Sequence, residues 1–199
     1  MEHYYTNQPG ADSKEQTFTF ELRGREFRFI TDRGVFSKNR IDFGSVLLIE
    51  AMEIKDGMDV LDVGCGYGPI GMAAATLSPS GNVLMVDVNE RAVSLANRNI
   101  SLNAIQNAQA IVSDRLTAVP SDRKFDVILT NPPIRAGKQV VHGIFEDAVH
   151  YLVPGGSLWI VIQKKQGAPS ALAKLQGLYS EVREVAKKKG YSVFQAIKS

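Results

Sequence analysis

Cysteine is nearly absent from this 199-residue chain, Cys65 being the only one. A lone thiol cannot close an internal disulfide, so the fold must rest on burial and hydrogen bonding. Histidine is scarce too. His3, His142 and His150 are scattered and, with a single cysteine, offer no ligand spacing for a dedicated metal site, so none is expected. Long apolar runs are missing, the longest being Leu158 to Ile162, far short of the roughly 18 residues of a membrane span. The opening residues, MEHYYTNQPG, lack the apolar stretch a secretory signal needs, which makes a cytoplasmic location the expectation and a membrane partner an unexpected one. Neither sign of charge dominates. The formal net charge of +2 neither demands nor excludes nucleic acid. What remains is an ordinary globular composition, 44% hydrophobic and 22% charged, in a chain long enough for one α/β domain with a full core.

The apolar pattern divides the chain. Residues 1–16 are polar and read as a flexible lead-in. Phe18, Phe20 and Leu22 alternate along a first strand, Phe27 and Phe29 along a second, and Gly24 sits between them, which predicts a β-hairpin. Residues 44–53 read as a short helix. From residue 57 short apolar runs alternate with helical periodicity. The runs are Val60-Leu61, Val83 to Val86, Ala110 to Val112, Val127 to Leu129 and Leu158 to Ile162; the helical sets include Val93, Ala96 and Ile100, and Val141, Ile144, Phe145, Ala148 and Leu152. This alternation predicts a mostly parallel, Rossmann-like sheet. Residues 181–198 read as an antiparallel hairpin meeting at Gly190 that closes it. The expected organisation is a single domain over residues 17–199, with 17–55 as an N-terminal extension on a core of 56–199.

In an open α/β sheet, ligands bind at the carboxyl ends of the strands, near the point where strand order reverses. The polar residues that close the five apolar runs are Asp62, Asp87, Asp114, Asn131 and Gln163. Each Asp taken singly is as well explained by a turn or a helix cap. Together at one edge they mark a polar site. The segment Asp62-Val63-Gly64-Cys65-Gly66-Tyr67-Gly68-Pro69-Ile70-Gly71 follows a strand and opens a helix, with Pro69 suited to its first turn. Gly66 to Gly71 alone spells G-x-G-x-x-G, a dinucleotide fingerprint with Asp87 as its ribose carboxylate, so a nicotinamide-dependent oxidoreductase is one reading. Asp62 argues the other way, because an acid at the head of the loop suits a cationic ligand and is a poor neighbour for a pyrophosphate.

The longer string Asp-x-Gly-x-Gly-x-Gly resembles motif I of the class I S-adenosylmethionine-dependent methyltransferases. The resemblance implies that Asp62, Gly64, Gly66 and Gly68 line the methionine half of S-adenosylmethionine, that Asp87 accepts from the ribose hydroxyls, and that Asp114 accepts from the adenine amine. Cys65, inside the loop, reads as a small filler and not as a nucleophile.

Asn131-Pro132-Pro133-Ile134 follows the fourth apolar run. It could simply stop a strand. It also has chemical content, since an exocyclic amine or amide has a delocalised lone pair and needs acceptors on its N–H bonds to aim that pair at a methyl group. The Asn131 side-chain oxygen and the Pro132 carbonyl are the acceptors on offer, and the prolines stiffen their placement. Asn-Pro-Pro resembles motif IV of the amino-methyltransferases and gives Asn131 and Pro132 the catalytic role, with Asn131 also at the cofactor. The family often carries an aromatic residue fourth, where this chain has Ile134.

The wider strings are closer still. Residues Asn131 to Lys138, with Gly34-Val35-Phe36-Ser37 upstream and Val161 to Ala168 downstream, resemble the ribosomal RNA small-subunit methyltransferase C type over about residues 17–198. That resemblance implies methyl transfer to guanine N2, with ribosomal RNA or the small ribosomal subunit as partner, Ile134, Arg135 and Lys138 towards the substrate, and Gly34 to Ser37 as a loop near the cofactor. Another RNA amine or a protein glutamine remains an alternative acceptor. The long members of the type carry an additional N-terminal domain that has no counterpart in this sequence. Basic residues cluster at Arg23, Arg25, Arg28, Arg33, Lys38 and Arg40, after the Asn-Pro-Pro motif, at Lys164-Lys165, and at Lys187 to Lys189. An RNA substrate needs such groups. Arg135 and Lys138 are placed for it, whereas Lys187 to Lys189 read as ordinary solvated charge.

Overall fold

A computed structural model describes residues 14–32 and 41–199. The expected hairpin is present: β1 (Gln16–Leu22) pairs antiparallel with β2 (Arg25–Thr31) in full register from Gln16↔Thr31 to Leu22↔Arg25. Its two-residue turn has Arg23 at φ 50° and Gly24 at φ 77°, the left-handed pair that matches strand twist. Helix α1 (Phe43–Ala51) starts where Asp42 accepts from the Ser45 N–H as N-cap.

Parallel strands and helices then alternate as β3 (Val60–Val63), α2 (Pro69–Leu77), β4 (Val83–Asp87), α3 (Glu90–Leu102), β5 (Ala108–Val112), β6 (Phe125–Thr130), α4 (Lys138–Tyr151) and β7 (Leu152–Gln163). Helix α5 (Ala168–Leu178) leads to β8 (Glu181–Lys188) and β9 (Tyr191–Ile197), the antiparallel closing hairpin. The sheet order is β5-β4-β3-β6-β7-β9-β8. Successive connections run outwards from β3 on one side and from β6 on the other, so the order reverses between these two strands. Helix α5, rich in Ala and Leu, lies outside the helices expected from the sequence, and strand β3 runs one residue past Asp62, to Val63.

Both faces of the sheet are covered, which is why its strands read as unbroken apolar runs. Val60, Met85, Val127, Leu129 and Trp159 face α1, α2, α3 and the aromatic side of the hairpin. Leu61, Val63, Leu84, Ile128, Leu158 and Ile160 face Val141, Ile144 and Phe145 of α4 and Leu175 of α5. The hairpin is fastened by two asparagines one turn apart on α3. Asn99 accepts from the Ile30 N–H at 2.7 Å and donates to the Ile30 and Tyr67 carbonyls, while Asn103 brackets Arg28 in the same way. Amide side chains thus continue the ladder on the edge of β2, where an open strand would expose unpaired groups.

Candidate active site

The rim can be followed strand by strand. Val63 pairs with Val86 on one side and Thr130 on the other, and Asp87 pairs with Val112. One step beyond the Val63 pairs lie Asp87, Gly64 and Asn131, in that order along the carboxyl edge, with Asp114 two residues past Val112 on the β5 side and Gln163 ending β7 on the other. The residues singled out by the motifs therefore share one edge, and Gly64 and Asn131 straddle the reversal of strand order, where ligands bind in such sheets. A cleft opens there, lined by Gly64, Asp87, Val88, Asp114, Pro133 and Ile144.

The glycine loop turns on backbone geometry. Gly64, Gly66 and Gly68 all have positive φ, at 75°, 56° and 112°. The loop is tied to β4 by the Gly64 and Cys65 N–H groups, which donate to the Val86 carbonyl, and by the Gly66 N–H, which donates to Asp87 Oδ2 at 2.9 Å. Asp87 Oδ1 accepts from Asn89 at 2.9 Å. A side chain at Gly64 would stand in open space, so the cleft reaches the backbone there. At Gly71 the reason for glycine is different: an added carbon would lie 2.6 Å from Met85 Cγ, so its absence lets α2 settle on β4.

Asp62 is fully buried beneath this loop. Its Oδ2 accepts from the Gly71 N–H at 2.9 Å, while Oδ1 has no hydrogen-bond partner among the described residues. Burial pushes its pKa up to about 7, against the Gly71 N–H, which lowers it, and with a further rise from the Asp87 charge. An orphaned carboxylate oxygen beside a second buried acid is a site for cationic charge, and it fits the sulfonium and ammonium of S-adenosylmethionine. A pyrophosphate would be repelled by both. Gly64, Asp87 and Asp114 line the cleft, with Asp62 buried beneath it. When bound, S-adenosylmethionine supplies an electrophilic methyl group. Cys65 is buried, and desolvation together with the Asp87 and Asp62 charges holds its thiol well above its ordinary pKa, so it stays a neutral filler.

Asn131 is held by residues that the sequence reading passed over. Its amide nitrogen donates to Asp42 Oδ2 at 3.1 Å and to Ser45 Oγ at 3.0 Å. Ser45 Oγ in turn donates to Asp42 Oδ1 at 2.8 Å. A carboxylate only accepts, so the amide must face Asp42 with its nitrogen, which turns Asn131 Oδ1 the other way. The signal available in the sequence was the cap itself, an Asp three residues before a Ser at the head of the apolar segment Val46 to Ile49. The Pro132 carbonyl accepts from the Ile134 N–H at 2.9 Å, so one of its lone pairs is already engaged. Ile134 heads a 3-10 turn (Ile134–Ala136) and rests half-buried against the α4 face of the core. Arg135 and Lys138 are exposed at that turn and at the start of α4. The Gly34 to Ser37 segment lies outside the described residues, as do Arg33, Lys38 and Arg40. Arg23 is committed elsewhere, donating to the carbonyls of Ile49, Glu50 and Met52 at the end of α1.

Comparison with known proteins agrees with this geometry. The model of the methyltransferase small domain family matches residues 26–195. The chain is 52% identical to the uncharacterized protein YbxB of Bacillus subtilis (strain 168), covering 99% of this chain and 98% of that one. It is 35% identical to a ribosomal RNA small subunit methyltransferase C of Mannheimia succiniciproducens over 80% of this chain and 48% of the relative, and so spans about half the length of that enzyme. A solved T. thermophilus 16S rRNA N2 methyltransferase, in complex with AdoMet and guanosine, superposes with a TM-score of 0.83 at 28% identity, over 93% of this chain and 51% of that one. The sheet order, the acid-lined glycine loop and these matches establish that the chain belongs to the methyltransferase small domain family, as a class I S-adenosylmethionine-dependent methyltransferase.

Proposed function

We propose that the protein methylates an exocyclic amine of ribosomal RNA, guanine N2 of the small subunit being the acceptor. The observation that carries this reading is the clamped amide of Asn131. With its nitrogen fixed on Asp42 and Ser45, its oxygen is left to accept an N–H from a substrate amine at the rim beside Gly64. That hydrogen bond draws the amine lone pair out of conjugation, and the remaining lone pair of the Pro132 carbonyl offers a second acceptor. Catalysis then rests on orientation and dipole placement, with no general base required, because the proton departs after the new N–C bond forms. A guanine within a helix must be flipped or presented in a loop to reach such a turn.

Relatives of both ribosomal subunits support an RNA acceptor. A ribosomal RNA large subunit methyltransferase G of Streptomyces avermitilis is 32% identical over 83% of this chain and 44% of its own length. The test is to digest ribosomal RNA from cells lacking the protein to nucleosides and fragments, and to compare them with wild type by mass spectrometry. Loss of N2-methylguanosine from one small-subunit fragment, restored by purified protein and S-adenosylmethionine, is the expected result. Loss from large-subunit RNA would move the assignment to that subunit, and loss of a different methylated base would overturn the guanine reading.

A further inference from the structure

No local pattern links Lys187, Lys188 and Lys189 with the Asn-Pro-Pro turn, more than fifty residues earlier in the chain. The sheet provides one. Because β9 runs antiparallel to β7, the register Gln163↔Tyr191 brings the start of β9 to the carboxyl end of β7. The pair Lys188↔Tyr191 brings the end of β8 there too. The β8–β9 turn therefore stands on the same rim as Asn131. A hydrogen bond from the Lys164 N–H to the Gly190 carbonyl, at 2.8 Å, ties the Lys164–Gln166 turn to it. Lys164, Lys165, Lys187, Lys188 and Lys189 are all exposed on these two joined turns.

Two details show that this turn is built and not incidental. Lys189 has φ 50° ahead of Gly190 at φ 80°, a two-residue turn whose first position usually falls to Asn, Asp or Gly. A lysine in that left-handed conformation is strained. Its ammonium lies over the Phe43 ring, 4.8 Å from the centroid, and Phe43 packs on Tyr191 with ring centroids 5.5 Å apart. Phe43 directly follows Asp42, the carboxylate that holds Asn131, and both oxygens of Asp42 are engaged by Ser45 and Asn131. A fixed cation thus stands beside the catalytic turn at the head of α1.

We infer that these two turns form a phosphate clamp for the RNA strand that leads into the Asn131 site. The inference rests on the RNA reading above and adds where the strand runs: from the Asn-Pro-Pro turn across the ends of β7 and β9, with its backbone on Lys164, Lys165, Lys188 and Lys189. Phosphate contacts of this kind fix register and orientation and leave base choice to the site itself.

The test compares wild type, K188Q/K189Q and K189G for binding to a single-stranded oligoribonucleotide of mixed sequence over a range of salt, with S-adenosylmethionine affinity and thermal melting measured in parallel. K188Q/K189Q is expected to bind RNA about tenfold more weakly near 0.1 M salt and to lower the salt slope by about 1.4, roughly 0.7 for each lost single-strand phosphate contact. Its cofactor affinity is expected to match wild type. K189G removes the cation while relieving the backbone, so it is expected to melt no lower than wild type and still to bind RNA less well. Wild-type RNA affinity and salt slope in both variants would overturn the clamp while leaving the RNA reading intact. Failure of the wild-type protein to bind RNA would overturn both.

Discussion

The Asn131 amide nitrogen sits 3.1 Å from Asp42 Oδ2, across 89 residues of chain. That contact sets which end of the amide faces Asp42 and which is turned away. Asn131→Ala is expected to keep S-adenosylmethionine affinity within a few-fold of wild type and to lose roughly 100-fold in kcat. Asp42→Ala should fall in between, losing about 10-fold in kcat because the amide is free to turn over, with a loss of about 1 kcal/mol in stability from the missing N-cap. Single-turnover methyl transfer, with calorimetry for the cofactor, separates the two effects. Full turnover in the Asn131 variant would sink the assigned role.

Asp62 makes stability depend on pH. Its folded pKa of about 7 lies above the ordinary value of 3.8, chiefly because of burial. The folded chain therefore holds this proton more tightly than the unfolded chain does. The carboxyl favours folding while it is protonated in both states, and that contribution is lost as pH rises from about 4 to about 7, then stays constant. Asp62→Asn is expected to flatten this part of the profile and to gain up to a few kcal/mol at pH 8 relative to wild type. The same change should weaken S-adenosylmethionine binding by at least about tenfold, since a neutral amide no longer meets a cation. Denaturant titrations at pH 5 and pH 8, with and without cofactor, read both outcomes.

Two glycines of the loop region should fail in different ways. Gly71→Ala places a carbon 2.6 Å from Met85 Cγ and is expected to cost about 1–3 kcal/mol. Pairing it with Met85→Val should recover part of that loss. Gly64→Ala meets nothing within 4 Å, but it stands at φ 75° at the mouth of the cleft. A backbone cost of about 1–2 kcal/mol is expected, together with a larger rise in cofactor Kd than Gly71→Ala produces. Melting curves and cofactor titrations on the three variants would refute this division if both single changes moved the same quantity.

Asn99 should behave as a fastening for the hairpin. It is fully buried and serves the Ile30 N–H, the Ile30 carbonyl and the Tyr67 carbonyl at once. Asn99→Ala removes all three hydrogen bonds from a buried position, and a loss of about 2–4 kcal/mol is expected. Amide exchange at Ile30 should quicken well beyond that at the centre of β3. Equal protection at both positions would show that the aromatic contacts alone hold the hairpin.

What could be read from the sequence was what local pattern carries. The apolar runs marked the five parallel strands, and the acid before three spaced glycines marked the loop, because burial on two faces and positive φ leave direct traces in residue type. The partners of Asn131 left a weaker trace. Asp42 and Ser45 show locally only as a helix cap, and their second task arises when α1 packs across β7, the strand beside β6. Asn99 looks like a polar interruption in a helix until β2 is set against it. Lys187 to Lys189 read as solvent charge because their place on the rim depends on a pairing that joins residues 163 and 191. Pro132 was legible as a carbonyl donor of direction, but the tight turn that engages it with Ile134 is a matter of φ and ψ that the residue names do not state.

Arg23, at the tip of the first hairpin, gathers the three carbonyls that end α1, and Asp42 begins the same helix. Nine residues of helix make a strut of about 13 Å. One end of that strut is gripped by the hairpin and the other grips the Asn131 amide. The hairpin is thereby a lever on the proposed acceptor site, and a disturbance at its tip would be felt as a loss of aim at Asn131 before it was felt as a loss of fold.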